Sequence, residues 1–328
     1  MHYFQQIIIN NEESLKKLLT SAGEESDELV KKILFKRHVE IVNLELSYLC
    51  NRKCDYCPVR GSDRNRTQEL IEVDLFQKVI NELASIRYEN RISLNLYNEP
   101  LLDPTLYEKI SEVRTKLPWC TISFNSNGDH LNREVLQNLS DSGLNFINVT
   151  LHPQANKSQS FETIQFRINK MLNKIGFNDS SQYANLDYIK TNTFLSIRIC
   201  GLTLRIQWPN YNKDGTYRGG KVLVSTMALC ERTAPCSKPF REFTIFSDGD
   251  VVPCCEVFHD KVNSDLVMGK IRNNSIFEIY SSAILARFRK HVFTFGPKKG
   301  VCSQCSVADY STDKESKERA EIINNIDL

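Results

Sequence analysis

Three cysteines stand close together at Cys50, Cys54 and Cys57, spaced C-x3-C-x2-C, directly after the alternating apolar run Leu44-Glu-Leu-Ser-Tyr-Leu. Thiolates are soft ligands, and three on one short loop suit an iron–sulfur cluster. A cubane cluster held by only three protein ligands leaves one iron open to a small molecule, whereas a fully ligated cluster mainly passes electrons. The competing readings are a zinc loop or three unrelated core cysteines. A zinc site ordinarily pairs two C-x2-C knuckles or adds histidines, and the sequence offers neither nearby. Cysteines return after residue 220, as Cys230, Cys236, Cys254, Cys255, Cys302 and Cys305, and the last two form a C-x2-C pair. A structural zinc site with four cysteine ligands is an alternative there.

The first loop resembles the cluster-binding signature of the radical S-adenosylmethionine (SAM) superfamily, in which an aromatic residue precedes the last cysteine; Tyr56 supplies it. The resemblance implies that Cys50, Cys54 and Cys57 hold a [4Fe-4S] cluster whose open iron is chelated by the amino and carboxylate groups of SAM. One electron then cleaves SAM to methionine and a 5′-deoxyadenosyl radical, which removes a hydrogen atom from the substrate. A reducing partner such as flavodoxin or ferredoxin is implied. The family's Gly-Glu-Pro motif for the SAM amino group corresponds to Asn98-Glu99-Pro100, with Asn98 in the glycine's place. Ser126, in Asn125-Ser126-Asn127-Gly128, stands where the family often has Thr-Asn-Gly, although a plain Asn-Gly turn fits as well. Thr150 is placed for the SAM ribose. His152 is either a solvated loop residue or a proton acceptor. Arg198 alternates with Ile197 and Ile199, so it faces the other side of its strand and would suit the SAM carboxylate.

The second cysteine group resembles the C-terminal auxiliary-cluster domain of the SPASM/Twitch group of that superfamily. No cysteine follows Cys305, which matches the shorter Twitch form with one extra cluster. The resemblance assigns Cys236, Cys254, Cys302 and Cys305 as its ligands, making it an electron carrier. Cys255 and Cys230 lie beside this set. Either could substitute as a ligand, or donate a hydrogen atom to a substrate radical.

Elements must position these groups. Leu15, Leu18 and Leu19, and then Leu29, Ile33 and Leu34, recur at helical spacing, so residues 11–37 read as one or two helices separated near Gly23. From residue 39 strands and helices alternate. Strands are predicted at 41–46, 92–97, 121–124, 146–151, 194–200 and 204–208; helices at 74–87 with Asp74 as N-cap, 105–116, after Asn132, and 161–174. Such alternation predicts a parallel sheet with right-handed crossovers, and the resemblance implies a partial (β/α)6 barrel. In parallel barrels reactive groups sit at the C-terminal ends of strands, where the Cys50 loop falls. Asp248-Gly249 between apolar runs predicts a hairpin, and one helix is predicted over 275–291. The expected division is a helical extension at 1–38, an α/β barrel at 39–215, a hairpin-plus-helix cluster domain at 216–306 and a charged tail at 307–328.

The chain has 328 residues, 41% apolar and 25% charged, a net charge of +2 and eleven cysteines. A near-neutral balance without a basic stripe argues against nucleic acid or an anionic membrane surface as partner. No stretch reads as a signal peptide or a membrane span. Many cysteines without export signals predict metal or redox chemistry in the cytoplasm. No peptide-recognition domain is visible before the barrel. The leading expectation is therefore oxidation at a C–H bond of a small hydroxylated, sugar- or cyclitol-like substrate, with the auxiliary cluster as electron acceptor. The alternative is epimerisation or crosslinking of a ribosomally made peptide. A zinc-stabilised module without catalysis is a third, weaker reading.

Overall fold

A computed structural model describes residues 12–21, 27–62, 69–153, 160–177, 186–210, 218, 221–222, 231–258 and 264–307. In chain order these residues form α1 (Glu28–His38), β1 (Ile41–Leu44), α2 (Val73–Ser85), β2 (Arg91–Ser93), α3 (Leu106–Lys116), β3 (Thr121–Ser126), α4 (Arg133–Asp141), β4 (Phe146–Thr150), α5 (Phe161–Lys174), α6 (Leu186–Thr191), β5 (Phe194–Ile199) and β6 (Leu202–Gln207). The short α7 (Lys238–Arg241), β7 (Glu242–Ile245), β8 (Asp250–Val252), β9 (Gly269–Lys270), α8 (Ile276–Tyr280) and α9 (Ala283–Phe293) follow. The chain divides into two compact units. Leu44–Ile71 and Arg87–Asp214 form one; Met1–Asn43, Glu72–Ile86 and Gly215–Leu328 form the other.

The α/β unit carries strands in the order β5-β6-β4-β3-β2. β2, β3, β4 and β6 run parallel, with Ser93 beside Ser123, Ser123 beside Phe146, and Phe146 beside Thr203. β5 is antiparallel to β6 and forms an edge, so the sheet is mixed and open rather than closed. This corrects the expectation of six parallel strands. The cause is a two-residue turn at Cys200 (φ 50°) and Gly201 (φ 78°), both left-handed, which folds β5 straight back along β6. A Cys-Gly pair is a weaker signal than Asn-Gly, so the sequence did not announce it.

Alternation then gives the sheet two faces. Ile92, Ile122, Phe124, Ile147, Val149, Leu204, Ile206, Leu195 and Ile197 are buried on one side. The register places Arg91, Ser93, Ser123, Asn125, Asn148, Thr150, Arg205, Gln207, Ser196 and Arg198 on the other. An ordinary parallel barrel fills its interior with branched apolar residues, so a polar inner face marks a surface made to receive something.

In the second unit, β1, β7, β8 and β9 lie in that order. The β7–β8 hairpin turns at Asp248-Gly249 as predicted, with Gly249 at φ 88° and the Asp248 carboxylate accepting from the Asp250 amide. Phe35 of α1 packs edge-on against Phe243, Phe277 and Tyr280 at 5.2, 5.5 and 5.2 Å between centroids. Leu34, Phe35 and His38 are the buried face of α1; Leu29 and Ile33, expected on that face, are exposed. Asp27, not a residue of the predicted face, caps this helix through its carboxylate. Asp74 lies one residue inside α2, whose cap is Glu72. The single helix expected at 275–291 is two, because Ser282 breaks it and caps α9, while Ser275 and Glu278 close a capping box on α8. Arg289 is fully buried; its Nε and Nη1 donate to the carbonyls of Pro239 and Tyr280, and its guanidinium lies 4.0 Å from the Tyr280 ring.

Two outcomes follow. Phe35→Ala should cost about 3–5 kcal/mol in denaturant unfolding, the range for emptying a buried aromatic site. Burial, Arg289 and Arg37 hold His38 down at about 3. Between the ordinary histidine value and that one, the unfolded chain binds a proton the folded chain refuses, so stability should fall as pH drops from 6.5 towards 3. His38→Gln should flatten that slope in urea titrations across the upper part of the window.

Candidate active site

The cysteine loop belongs to the α/β unit, where Cys50, Cys54 and Cys57 are all partly exposed. The Cys57 amide donates to the Cys54 carbonyl at 3.0 Å and the Arg60 amide to Cys57 at 3.2 Å, which curls the loop tightly into a short 3-10 turn, Pro58–Gly61. The base of the loop is pinned by backbone pairing of Tyr48 with Glu69 and of Ile71 with Leu46, each at 2.8 Å.

Two further attachments were not predicted. The Glu99 amide donates to the carbonyl of Leu49, the residue before Cys50, at 2.7 Å, and Asn98 reaches the Ser47 hydroxyl. On the other side, Arg52 donates through both Nε (2.7 Å) and Nη2 to the two oxygens of Asp129. Asn51 bonds Asp129 at 2.9 Å and receives a bond from Asn127 at 2.7 Å. Asp129 is held well below the usual carboxylate range, first by its bonds to Arg52. A sequence signal existed in retrospect: an acid one residue past Asn-Gly after β3, and a basic residue two past the first cysteine.

The structure brings Glu99 and Ser126 together. The Glu99 carboxylate, 2% exposed, accepts from the Ser126 hydroxyl (2.8 Å) and from the amides of Asn127 (2.7 Å) and Leu101 (3.3 Å). A carboxylate has about four lone-pair directions; two are spent on holding the turn after β3 and one on capping its own turn after β2. Burial raises its titration and these bonds oppose it. Pro100 starts the short turn that Glu99 caps.

Tyr56 stacks on His152, with rings 5.6 Å apart and 16° from parallel. The two line a cleft of about 570 Å³ with Arg52, Cys54, Arg60 and Pro153. Burial, then Arg52 and Arg167, push His152 down to about 4. Its ring is therefore neutral at neutral pH and a poor proton acceptor, so stacking beside Tyr56 is the role its surroundings favour. Thr150 is buried at the C-terminal end of β4 and accepts from Gln207 at 2.9 Å. Gln207 is a site residue that sequence reasoning missed.

Arg198 does not join this group. It is on the polar face, as its alternation predicts, but the reversal of β5 sets it opposite Thr203, four residues along β6 from Gln207. That is about 13 Å along the strand. Its guanidinium donates to the Gly201 carbonyl instead.

Among the described residues no three His, Cys, Asp or Glu side chains already converge at metal-binding distance. The donors nevertheless fit a thiolate-bound cluster by type and proximity. Burial drives Cys50 up to about 11, and Glu99, Cys57 and Cys54 add to it by repulsion. Such mutually repelling thiols ask for a cationic centre to take their protons' place.

In the second unit Cys236 and Cys254 are buried, and burial followed by Cys255, Glu242 and Cys236 raises Cys254 far above the usual thiol range. Burial and Cys305 push Cys302 up to about 11. Lys298 lies within the electrostatic reach of both Cys302 and Cys236, linking the two halves of the set. Cys255 points elsewhere: its sulfur is 3.5 Å from Lys238, which pairs with Glu242 and Glu256. Cys230 lies outside the described residues.

Against this geometry, residues 44–178 match the family model of the radical SAM superfamily, and residues 236–306 match that of the SPASM iron–sulfur cluster-binding domain. The chain is a radical SAM enzyme with a C-terminal SPASM-type domain, and SAM, a [4Fe-4S] cluster and auxiliary iron–sulfur chemistry come with that class. Among curated proteins it is similar to the S-adenosyl-L-methionine-dependent 2-deoxy-scyllo-inosamine dehydrogenase of Niallia circulans, at 24% identity over 276 residues, covering 84% of this chain and 96% of the relative. Among solved structures it is similar to BtrN in complex with AdoMet and 2-DOIA, with a TM-score of 0.56, 23% identity, and coverage of 83% of this chain and 98% of that one. It also resembles BtrN in an open conformation, with a TM-score of 0.50, 20% identity, and coverage of 77% and 85%. No described helix is long and apolar enough to cross a membrane.

Asp129→Ala should loosen the cysteine loop without unfolding the chain. The expected result is faster loss of iron to a chelator at unchanged circular dichroism; unchanged iron retention would refute the clamp.

Proposed function

We propose that this chain is a radical SAM dehydrogenase that oxidises a C–H bond bearing a hydroxyl on a small sugar- or cyclitol-like molecule. The observation that carries the reading is the polar inner face of the α/β sheet, where Asn125, Asn148, Thr150 and Gln207 stand where a closed barrel would be packed with apolar side chains. Amide and hydroxyl groups in such a row both donate to and accept from the hydroxyls of a polyol. Similarity to a cyclitol dehydrogenase along 96% of that relative's length supports it.

In this reading Cys50, Cys54 and Cys57 hold the cluster with the open iron, and Cys236, Cys254, Cys302 and Cys305 hold one auxiliary cluster of the Twitch type. Burial of Cys254 with Cys236, and the engagement of Cys255 with Lys238, support Cys254 as the ligand of that pair. If bound, SAM on the first cluster would supply the radical that takes the hydrogen atom, and the second cluster would supply an acceptor for the remaining electron while the hydroxyl proton passes to solvent. The chain's own residues do the positioning. Glu99, with Asn98 and Pro100, sets the turn after β2 beside the cysteine loop; Ser126 and Thr150 mark the ends of β3 and β4; Tyr56 and His152 wall the cleft. A flavodoxin- or ferredoxin-like donor and a cytoplasmic setting complete the proposal.

The test is 5′-deoxyadenosine formation by anaerobically reconstituted, reduced enzyme with SAM and host extract divided into small-molecule and peptide fractions. Stimulation by the small-molecule fraction, with a product two mass units lighter than its precursor, is the expected result. Stimulation by the peptide fraction alone would sink the reading. Cys50→Ala, Cys54→Ala and Cys57→Ala should each abolish 5′-deoxyadenosine formation, while Cys302→Ala should lower iron content by the auxiliary share.

A further inference from the structure

Arg232 has no task in the reading above, yet it sits among the cysteines of the second unit. It stands four residues before Cys236 and is 6% exposed. Among the described residues its side-chain bonds all go to backbone carbonyls that flank those cysteines. Nε donates to Ala234 at 3.1 Å, and Nη2 to Pro235, the residue before Cys236, at 2.6 Å. Nη1 donates to Val307, two residues past Cys305. The Arg232 amide donates to Ser303, which lies between Cys302 and Cys305, at 2.8 Å.

One residue thus joins two arms of the ligand set. The arm that enters Cys236 runs beside the one that leads to Cys302: the Lys298 amide donates to Arg232 at 3.0 Å, Gly296 to Thr233 at 2.9 Å, and Cys236 to Val292 at 2.9 Å. A rigid guanidinium fork adds the turn after Cys302 to that pairing. Charge is the second consequence. Lys298 is 5% exposed and its ammonium donates to the Thr294 carbonyl. Among the described residues neither cation is met by a carboxylate. Buried cations without a counter-charge are unfavourable, and carbonyl dipoles offset only part of that. A cluster held by four thiolates is net negative and would offset the rest. The effect on Cys302 has the matching sign: burial and Cys305 push it up, and Arg232 and then Lys298 oppose them.

We propose that Arg232 is a positioning residue for the auxiliary cluster: its three guanidinium bonds hold the Cys236 arm against the Cys302–Cys305 turn, and its charge, with that of Lys298, favours the reduced form of the cluster. The inference rests on the reading of Cys236, Cys254, Cys302 and Cys305 as ligands of an electron-accepting cluster, and deepens it. The potential of an iron–sulfur cluster follows the charge and hydrogen bonding around it. A cation bonded to the peptide that precedes a ligand stabilises an added electron. Arginine suits the place because its guanidinium stays charged where burial would neutralise an amine. A cluster that must take an electron from a substrate radical gains from such a neighbour, whereas one that only staples the fold does not.

The experiment uses the full-length chain carrying Cys50→Ala, Cys54→Ala and Cys57→Ala together, so that iron and electrons report on the second site alone. After anaerobic reconstitution, iron retention against a chelator is followed, and the midpoint potential is read by redox titration with electron paramagnetic resonance. Added to that parent, Arg232→Gln should make the midpoint more negative, lowering the reduced-to-oxidised ratio at fixed potential by about tenfold, which is ~59 mV for one electron. It should also lose iron faster. Arg232→Lys keeps the charge without the fork, so it should restore most of the potential and little of the retention. Lys298→Met leaves the fork in place and should lower the potential at the parent's retention. A midpoint unmoved in both Arg232→Gln and Lys298→Met would overturn the inference and leave the ligand reading standing. If Arg232→Gln holds no iron, Lys298→Met decides: a more negative midpoint supports the inference and an unmoved one overturns it. No iron–sulfur centre in the parent would overturn the ligand reading itself, and the inference with it.

Discussion

The bidentate pairing of Arg52 with Asp129 is the contact that fixes the cysteine loop of the α/β unit against the turn after β3. Three cysteines on a loop can present their sulfurs together only if the loop has one conformation, and the short 3-10 turn inside it is too small to impose that by itself. The Arg–carboxylate fork supplies geometry as well as attraction, because two parallel N–H···O bonds fix a plane. Asn51 and Asn127 repeat the attachment from neighbouring positions, and Asp129 accepts from all but the last of this set. The loop is thereby tied to the turn after β3, and Glu99 ties that turn in its turn to the end of β2. Loop positions are therefore inherited from strand positions, which the buried apolar face of the sheet keeps rigid.

That sheet is unusual in what it leaves unburied. One face is continuous aliphatic and aromatic surface, which supplies the hydrophobic stabilisation. The other carries amides, hydroxyls and guanidinium groups, which gain little by folding and lose hydration if covered. Antiparallel β5 closes off one side without completing a barrel. The polar face therefore remains open at Asn125 and Ser196, while Ser93, Ser123 and Thr150 are buried and neighbours bond one another, Asn148 to Asn125 and Gln207 to Thr150.

The second unit solves a different problem. Two of its thiols, Cys236 and Cys254, are buried at 9% exposure each while Cys302 and Cys305 are partly exposed, and its core is aromatic around Phe35. Burial of the first pair suits the auxiliary cluster proposed above, since a dry shell controls solvent access and potential. Arg289 within that core is held by two backbone carbonyls and the Tyr280 ring, which spread its charge over dipoles.

Much of this was legible in the sequence by itself. Cysteine spacing declared the chemistry because ligand type and loop length are local properties, and apolar periodicity declared most helices and strands for the same reason. The Asp248-Gly249 hairpin was readable because a left-handed turn needs those residue types. Where local signals were weak or absent, only the tertiary structure decided. The Cys200-Gly201 turn reversed β5 and carried Arg198 to the wrong end of the sheet; alternation gave its face correctly but says nothing of strand direction. Leu29 and Ile33 had the right period and the wrong surroundings, since burial depends on what packs opposite. Gln207 and Asp129 carry no motif at all. Their importance comes from register and from contacts across 57 and 77 residues of chain, to Thr150 and Arg52 respectively. Spacing in sequence specifies which atoms can bind a cluster; only the folded sheet determines which side chains stand beside it.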